Sequence, residues 1–503
     1  MSANSVSERI DPILKYSFAR EYGFALVAAG AADATVMMRD GADAMMLREV
    51  RRAIGLPLTV ERTSAKDFDA HLSNLYAADG IGAHMDTDVP VESLDSALEG
   101  MPKAADLLAN DDDAPVIRLI NGMMAEAVKT KASDVHLEPF ENKLSVRLRV
   151  DGVLAEVASL SSRLAPYIVS RIKVMARLDI AEKRIPQDGR LSLTLGDRTF
   201  DVRVSTLPSR HGERVVLRLL DTSQAHLGLE DLGMERGVHD GILDALAEPN
   251  GIILVTGPTG SGKTTTLYAG LSLLNDQSRN IMTVEDPIEY ALEGISQTQV
   301  NAKVGMTFAN GLRAILRQDP DVVMVGEIRD METAEMAIQA SLTGHLVLST
   351  VHTNSAVAAI TRLRDMGVEP FLLSSTVKAI LAQRLVRRLC PSCKKPAHDE
   401  KLIRKQLGLK KDADATFFEP VGCPDCGGKG YKGRIGIYEL VKIDDKLRRM
   451  VQEGATEQDM EAHAFRHAKT LSDSGCDLVA RGMTTVEEVL RVSKVQGAAD
   501  AGV

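Results

Sequence analysis

The sequence predicts an α/β core built on a largely parallel sheet, and three observations carry that prediction. The first is Gly257-Pro-Thr-Gly-Ser-Gly-Lys-Thr264, which fits the pattern G-x-x-x-x-G-K-[ST]. In such a loop the glycines let successive backbone N–H groups converge on phosphate oxygens, while the lysine reaches the terminal phosphates and the hydroxyl ligates Mg²⁺. The second is its flanks. Gly251-Ile-Ile-Leu-Val-Thr256 is a short apolar run, and Leu267, Leu271 and Leu274 recur at helical spacing after the loop. The loop therefore joins a strand to a helix whose N-terminus faces the anion. The third is the alternation of strand and helix patterns from about residue 226, as a parallel sheet requires.

Bulk properties narrow the function classes. A chain of 503 residues with 44% apolar and 26% charged residues has enough material for several cores. Its net charge of −10 argues against a general nucleic-acid binder, which must neutralise phosphates with Lys and Arg. The sequence lacks any run of about 18 apolar residues, and Met1-Ser-Ala-Asn-Ser-Val-Ser-Glu-Arg9 has no basic segment before an apolar core. The expectation is a cytoplasmic protein that meets a membrane only through partners. Five cysteines in a chain this long are not a disulfide framework.

In chain order, residues 1–80 carry amphipathic segments, Ile10–Ala19 and Ala42–Arg52, without a chemical motif. They read as a small partner-docking domain or as a structural cap. Residues 81–112, with Met85-Asp-Thr-Asp-Val-Pro90 and Asn110-Asp-Asp-Asp113, read as a flexible acidic linker. An α+β domain is expected over 113–222. It opens with a helical stripe, Val116, Leu119, Ile120, Met123 and Ala127, and continues with period-two strands such as Leu144, Val146, Leu148 and Val150. Arg147, Arg149, Arg203 and Arg218 fall on the polar faces of these strands. Arginines acting on a neighbour's nucleotide would have this pattern, and so would a solvated arginine-rich face.

The α/β domain is expected over 226–503. Asn280-Ile-Met-Thr-Val-Glu-Asp286 is a strand ending in Glu285 and Asp286, where such sheets form their ligand crevice. Val322–Val325 is a buried strand followed by Gly326-Glu327, and a carboxylate at that tip can orient or deprotonate an attacking water. Gly326 stands where an Asp is usual, so part of the Mg²⁺ shell must come from elsewhere, through water or from Glu285. His345 and His352 flank a third strand. His352 is the candidate γ-phosphate sensor and His345 reads as positional, although lone histidines are mostly structural. Cys390-Pro-Ser-Cys393 and Cys423-Pro-Asp-Cys426 are two C-x₂-C knuckles. Four thiolates in this form suit a closed, structural Zn²⁺ site, the alternatives being unmetallated thiols or a redox pair. Cys476 stands alone and reads as a buried small residue, and residues 440–503 read as helical with a frayed tail from Gln496.

These motifs stand in a recognisable order. Lys131-Ala-Ser-Asp-Val-His-Leu-Glu-Pro139, Arg149-Val-Asp-Gly-Val-Leu154, Arg184-Ile-Pro-Gln-Asp-Gly-Arg190, the phosphate loop, Thr283-Val-Glu-Asp-Pro-Ile-Glu289, Leu316 to Asp330 and Gly344 to Asn354 resemble the secretion ATPases. Within them the chain is similar to the GspE family of type II secretion over about 113–495. The resemblance implies a RecA-like P-loop NTPase domain, a preceding α+β domain, a zinc module over 390–440 and a small N-terminal domain. It implies a Mg²⁺-dependent ATPase, a homo-hexamer, that powers pseudopilus assembly. Nucleotide would be held by Gly257, Pro258, Thr259, Gly260, Ser261, Gly262, Lys263, Thr264 and Thr265, with Thr264 on Mg²⁺. Lys263, Glu285, Glu327 and His352 match the family's catalytic positions, and Arg203 and Arg218 its phosphate-reaching arginines. Cys390, Cys393, Cys423 and Cys426 match its zinc ligands. The family docks on the inner-membrane proteins GspL, through its N-terminal domain, and GspF. The type IV pilus extension ATPases are the alternative, and the retraction type generally lacks the tetracysteine module.

Overall fold

The computed structural model describes residues 14, 18–19, 22–29, 33–64, 67–68, 114–195, 198–221, 227–407 and 415–493. Most of the helix expected at 10–19, the linker expected at 81–112 and the tail from Gln496 lie outside the described residues. The chain divides into two compact units, Met1–Thr222 and Ser223–Val503. Among the described residues no helix is long and apolar enough to cross a membrane.

In the first unit, β1 (Phe24–Ala29) pairs antiparallel with β2 (Ala34–Arg39), which pairs parallel with β3 (Leu58–Thr63). A parallel pair needs a crossover, and α1 (Leu47–Ile54) supplies it, burying Val50 and Ile54 beside Phe24, Leu26 and Val36. The rest of the unit follows α2 (Ala114–Lys129) and contains β4 (Asp134–Pro139), β5 (Lys143–Val150), β6 (Val153–Ser161), α3 (Ala165–Met175), β7 (Gln187–Leu195), β8 (Arg198–Ser209) and β9 (Gly212–Asp221). The six strands form one antiparallel sheet in the order β6-β5-β4-β9-β8-β7. Val135, Leu137, Val146, Val204, Val215 and Leu217 line one face and share a core with Leu119 and Met123 of α2 and Ile168 and Ile172 of α3.

The other face is polar, as the period-two pattern requires. Its register sets Arg149, Asp134, Arg218, Arg203 and Arg190 in one row across β5, β4, β9, β8 and β7. The sequence reading recognised the arginines and missed the acids beneath them. Asp134 is buried, accepts from Arg218 Nε at 2.8 Å and faces Arg149 at 3.6 Å. Glu138, also buried, pairs with Arg147 at 2.5 Å and Arg214 at 2.6 Å. Burial works against the Asp134 carboxylate, but hydrogen bonds from Arg218 and Ser133 hold its pKa below the ordinary value.

The second unit is the expected α/β domain. Its strands are β10 (Gly251–Thr256), β11 (Ile281–Glu285), β12 (Ser296–Gln299), β13 (Val322–Val325), β14 (Leu346–Val351), β15 (Val377–Leu389), the two-residue pair β16 (Lys395–Pro396) and β17 (Phe418–Glu419), and β18 (Tyr431–Lys442). The main sheet runs β12-β11-β13-β14-β10-β15-β18, parallel except where β18 meets β15. Helices cover both faces, so β10 is apolar throughout. Ile252 and Leu254 enter one core with Val323, Ile338 and Ile360, while Ile253 and Val255 enter the other with Leu267 and Leu271. The covering helices are α4 (Arg236–Leu246), α5 (Lys263–Leu274), α6 (Phe308–Ile315), α7 (Met331–Leu342), α8 (Ala356–Asp365), α9 (Pro370–Thr376), α10 (Glu400–Gln406), α11 (Asp445–Gln452), α12 (Glu457–Ala464), α13 (Leu471–Ala480) and α14 (Val486–Ser493). Two expectations are corrected. β18 continues to Lys442 before the helices begin, and Cys476 is only half-buried, because α13 turns it toward Asp473 and Asp477 at the surface.

Candidate nucleotide site and metal centre

The phosphate loop leaves the buried strand β10 and ends as the first turn of α5. Gly260 and Gly262 hold φ of 78° and 88°, a region open to glycine and strained for other residues. A Cβ at Gly257 would stand 2.5 Å from the Gln383 carbonyl oxygen, so that position also demands glycine. Pro258 is buried at the start of the loop, Thr259 and Gly260 are exposed, and Thr264 and Thr265 are half-buried in the first turn. Among the described residues Ser261 Oγ is buried without a hydrogen-bond partner. The Lys263 ammonium folds onto its own loop, donating to the carbonyls of Gly257 (2.8 Å) and Pro258 (3.2 Å). Burial lowers its pKa to about 8, with Arg384 pushing the same way and Glu327 opposing. A bound phosphate would give Ser261 Oγ an acceptor and Lys263 a counter-charge, so the residues fit the triphosphate tail of a nucleotide.

Glu327 and His352 follow the adjacent strands β13 and β14 and meet beside this loop. Glu327 is buried, with one carboxylate oxygen 3.3 Å from His352 Nε2 and the other paired with Arg329. Burial lowers the His352 pKa, and the Lys263 charge lowers it further, against the pull of Glu327. The neutral ring can donate Nε2–H to the carboxylate. Thr350 Oγ1 donates to the Gly326 carbonyl at 2.7 Å and fixes the turn that carries Glu327. A Cβ at Gly326 would lie 3.3 Å from the Phe308 ring and 3.4 Å from the Val284 carbonyl oxygen, which accounts for the missing side chain there.

Glu285 is not part of this group. It is buried, and its carboxylate accepts from Thr283 Oγ1 at 2.6 Å, Gln297 Nε2 at 3.0 Å and the Tyr268 hydroxyl. Burial and the Glu285 charge both push the Tyr268 pKa upward, so the phenol stays protonated and donates. Any contact of Glu285 with a metal shell requires these bonds to be exchanged. His345 is positional as expected, with Nδ1 2.8 Å from the Ala340 carbonyl.

The four knuckle cysteines converge. Their sulfurs all lie within 4.8 Å of one another, with Cys390–Cys423 and Cys393–Cys426 at 3.8 Å and Cys423–Cys426 at 3.7 Å. A tetrahedron with Zn–S bonds of about 2.3 Å has edges of about 3.8 Å, so the donor set fits a structural zinc. Burial opposes ionisation at two of these thiols. It takes Cys423 up to about 11, whereas N–H groups of Cys423 and Gly430, each 3.2 Å from Cys426 Sγ, bring Cys426 down to about 6.

Arg203 and Arg218 belong to the first unit and are described above within its sheet. Sequence reasoning missed Arg329, Tyr268, Gln383 and Arg384. The last two had a visible signal, a polar pair inside the apolar run Ala379-Ile-Leu-Ala-Gln-Arg-Leu-Val386. Arg329 had a weaker one, two residues beyond the strand-tip acid.

Comparison with known proteins adds the following. The family described as type II/IV secretion system protein matches residues 109–491, and the family of the N-terminal domain of GSPII protein E matches residues 13–76. The type II secretion system ATPase E of Vibrio cholerae is 55% identical over 451 residues, 89% of this chain and 90% of that one. The type II secretion system protein E of Pseudomonas aeruginosa is 57% identical over 450 residues, with the same coverage. Among solved structures, the ADP-bound pilus retraction motor PilT is 26% identical with a TM-score of 0.51 over 74% of this chain and 96% of that one. The Legionella pneumophila ATPase DotB is 20% identical with a TM-score of 0.57 over 75% of this chain and 95% of that one, a likeness of fold.

Proposed function

This chain belongs to the family of type II/IV secretion system proteins and is an ATP hydrolase, and on that premise we propose that it drives pseudopilus assembly in type II protein secretion. The observation that carries the reading is the junction of the phosphate loop with the Glu327–His352 pair on neighbouring strand tips. The match of residues 13–76 to the N-terminal domain of GSPII protein E favours secretion over type IV pilus extension. On this reading residues 1–80 dock on GspL at the inner membrane, 81–112 link them to the 113–222 domain, 226–503 hold the nucleotide, and GspF is a further partner. The protein works at the cytoplasmic side as a homo-hexamer, in which Arg203 and Arg218 of one subunit reach nucleotide held by another.

Within the site, backbone N–H groups of Gly260 to Thr265 and the Lys263 ammonium bind the phosphates. Lys263 exchanges its two carbonyl partners for them. Thr264 is the Mg²⁺ ligand, and that ion, when bound, neutralises charge on the phosphates. Glu327 orients a water and accepts its proton as the water oxygen attacks the γ-phosphorus and the bond to ADP breaks. Arg329 and His352 hold the two carboxylate oxygens in place until nucleotide arrives, and His352 is then positioned to report on the γ-phosphate. Cys390, Cys393, Cys423 and Cys426 hold Zn²⁺, which supplies structure and leaves no coordination position open.

The experiment is Glu327→Gln in the full chain. ATP binding is retained while turnover falls by about 100-fold or more, the scale of a lost general base, and secretion stops in cells carrying only the variant. Turnover within about twofold of the parent would refute the role of Glu327. Secretion that survives without turnover would refute the motor.

A further inference from the structure

Gln383 and Arg384 form a buried polar pair in the otherwise apolar middle of β15. A polar group is carried into an interior without large cost only where hydrogen bonds replace water. Gln383, 2% exposed, donates from Nε2 to the Ser261 carbonyl at 2.7 Å and accepts at Oε1 from Thr266 Oγ1 at 2.8 Å. One partner accepts and the other is a hydroxyl, which fixes the orientation of the amide. Both belong to the phosphate loop and the first turn of α5. The approach is close enough that a Cβ at Gly262 would stand 3.2 Å from Gln383 Nε2. Arg384, 5% exposed, donates from Nη1 to the Gln383 carbonyl at 3.0 Å and from Nη2 to the Asn354 carbonyl at 2.7 Å. Asn354 stands two residues after His352.

We propose that Gln383 and Arg384 are positioning residues for ATP hydrolysis: Gln383 holds the phosphate loop in its binding shape, and Arg384 ties the segment carrying His352 to that loop. Neither touches nucleotide. The proposal rests on the reading that residues 257–264 bind ATP. Rearranging the loop without Gln383 would leave the Ser261 carbonyl and the Thr266 hydroxyl unpaired in the interior, and that cost falls on nucleotide binding. Arg384 acts on the step after binding, because it orders the segment that meets Glu327.

Gln383→Glu in the full-length protein tests the first half, since it preserves size and changes only the donor. As a carboxylate it turns an acceptor toward the Ser261 carbonyl. As a neutral acid it donates there as the amide does, and burial favours that form. The ionisable groups packed around this junction are Lys263 on α5, Arg384 on β15, and Tyr438 and Glu439 on β18. They titrate in both proteins, so the ratio of variant to parent KM isolates residue 383. That ratio is expected to stay within about twofold at pH 6 and to reach about tenfold or more at pH 9, the scale of a lost buried hydrogen bond, with kcat less affected. Gln383→Leu raises KM at every pH without this slope. A ratio near one throughout, or an equal pH-independent loss in both variants, would overturn the role of Gln383. If Gln383→Leu does not fold, the isosteric variant decides alone. Arg384→Lys keeps the charge and loses the fork, and kcat is expected to fall by about tenfold with KM within about twofold. An unchanged kcat would overturn the second half. Failure of the underlying reading is a different result, in which Lys263→Ala retains the parent's KM and kcat.

Discussion

Lys263 makes its hydrogen bonds to carbonyls of its own loop while its pKa sits near 8, so nucleotide must both displace those carbonyls and keep the amine charged. Burial depresses this cation's pKa, and a bound phosphate raises it again. Above pH 8, nucleotide binding should therefore take up a fraction of a proton. Calorimetry at pH 8.5 in buffers of different ionisation enthalpy is expected to show that uptake in the parent and lose it in Lys263→Ala, which also loses turnover. His352 has the opposite consequence: burial and Lys263 keep its pKa below the ordinary histidine value, so the ring is neutral through the physiological range and protonates only on acidification. Lys263, Glu327 and His352 were legible because each sits beside a motif whose chemistry needs that residue type. The engagement of Glu285 with Tyr268 and Gln297 was not, since those partners come from other elements and only folding brings them to β11.

At the scale of elements, β15 and β18 form the antiparallel end of the main sheet, and the cysteine knuckles close the same end. The alternating α/β order was readable because a strand buried on both faces is apolar throughout and its helices are amphipathic. The continuation of β18 to Lys442 was harder to read, because an antiparallel edge strand with exposed Lys432 and Arg434 lacks that signature. Removal of zinc, or Cys390→Ser, should leave three thiolates facing one another and expose 390–440 to proteolysis before the rest of the chain. Limited digestion with and without chelator reads this, and an unchanged cleavage pattern would remove the structural role. Helix α14 is fastened to β15 by Glu488. Burial would raise its pKa, but hydrogen bonds from Arg387 (2.7 Å) and Arg491 (2.9 Å) bring it down to about 2. A depressed carboxylate stabilises the fold above its unfolded value, near 4.3, and loses that contribution as pH falls through the folded value. Glu488→Gln is expected to cost about 2 kcal/mol at pH 7. It should also flatten the acid limb of a thermal-stability profile between about pH 4.5 and 2.

For the whole molecule, the arginine row of the first unit and the phosphate loop of the second belong to separate compact bodies, and the proposed hexamer assigns them to one reaction. Arg203→Ala should then lower turnover chiefly in assembled oligomers. An equal proportional loss in isolated subunits, measured after sizing, would count against action between subunits. The alternation that revealed these arginines says which face they occupy, but it carries no information on Asp134 and Glu138, whose placement depends on strand register. Register is a property of the sheet, and a local window of sequence does not encode it. A last consequence follows from the length of β15. Gln383 and Cys390 lie seven residues apart along one extended segment, roughly 23 Å at about 3.3 Å per residue, with Leu389 as its final residue. A chelator acting at the cysteines thus pulls on the far end of a beam whose other end braces the nucleotide cradle, and the Kd for ATP should drift upward before the protein unfolds.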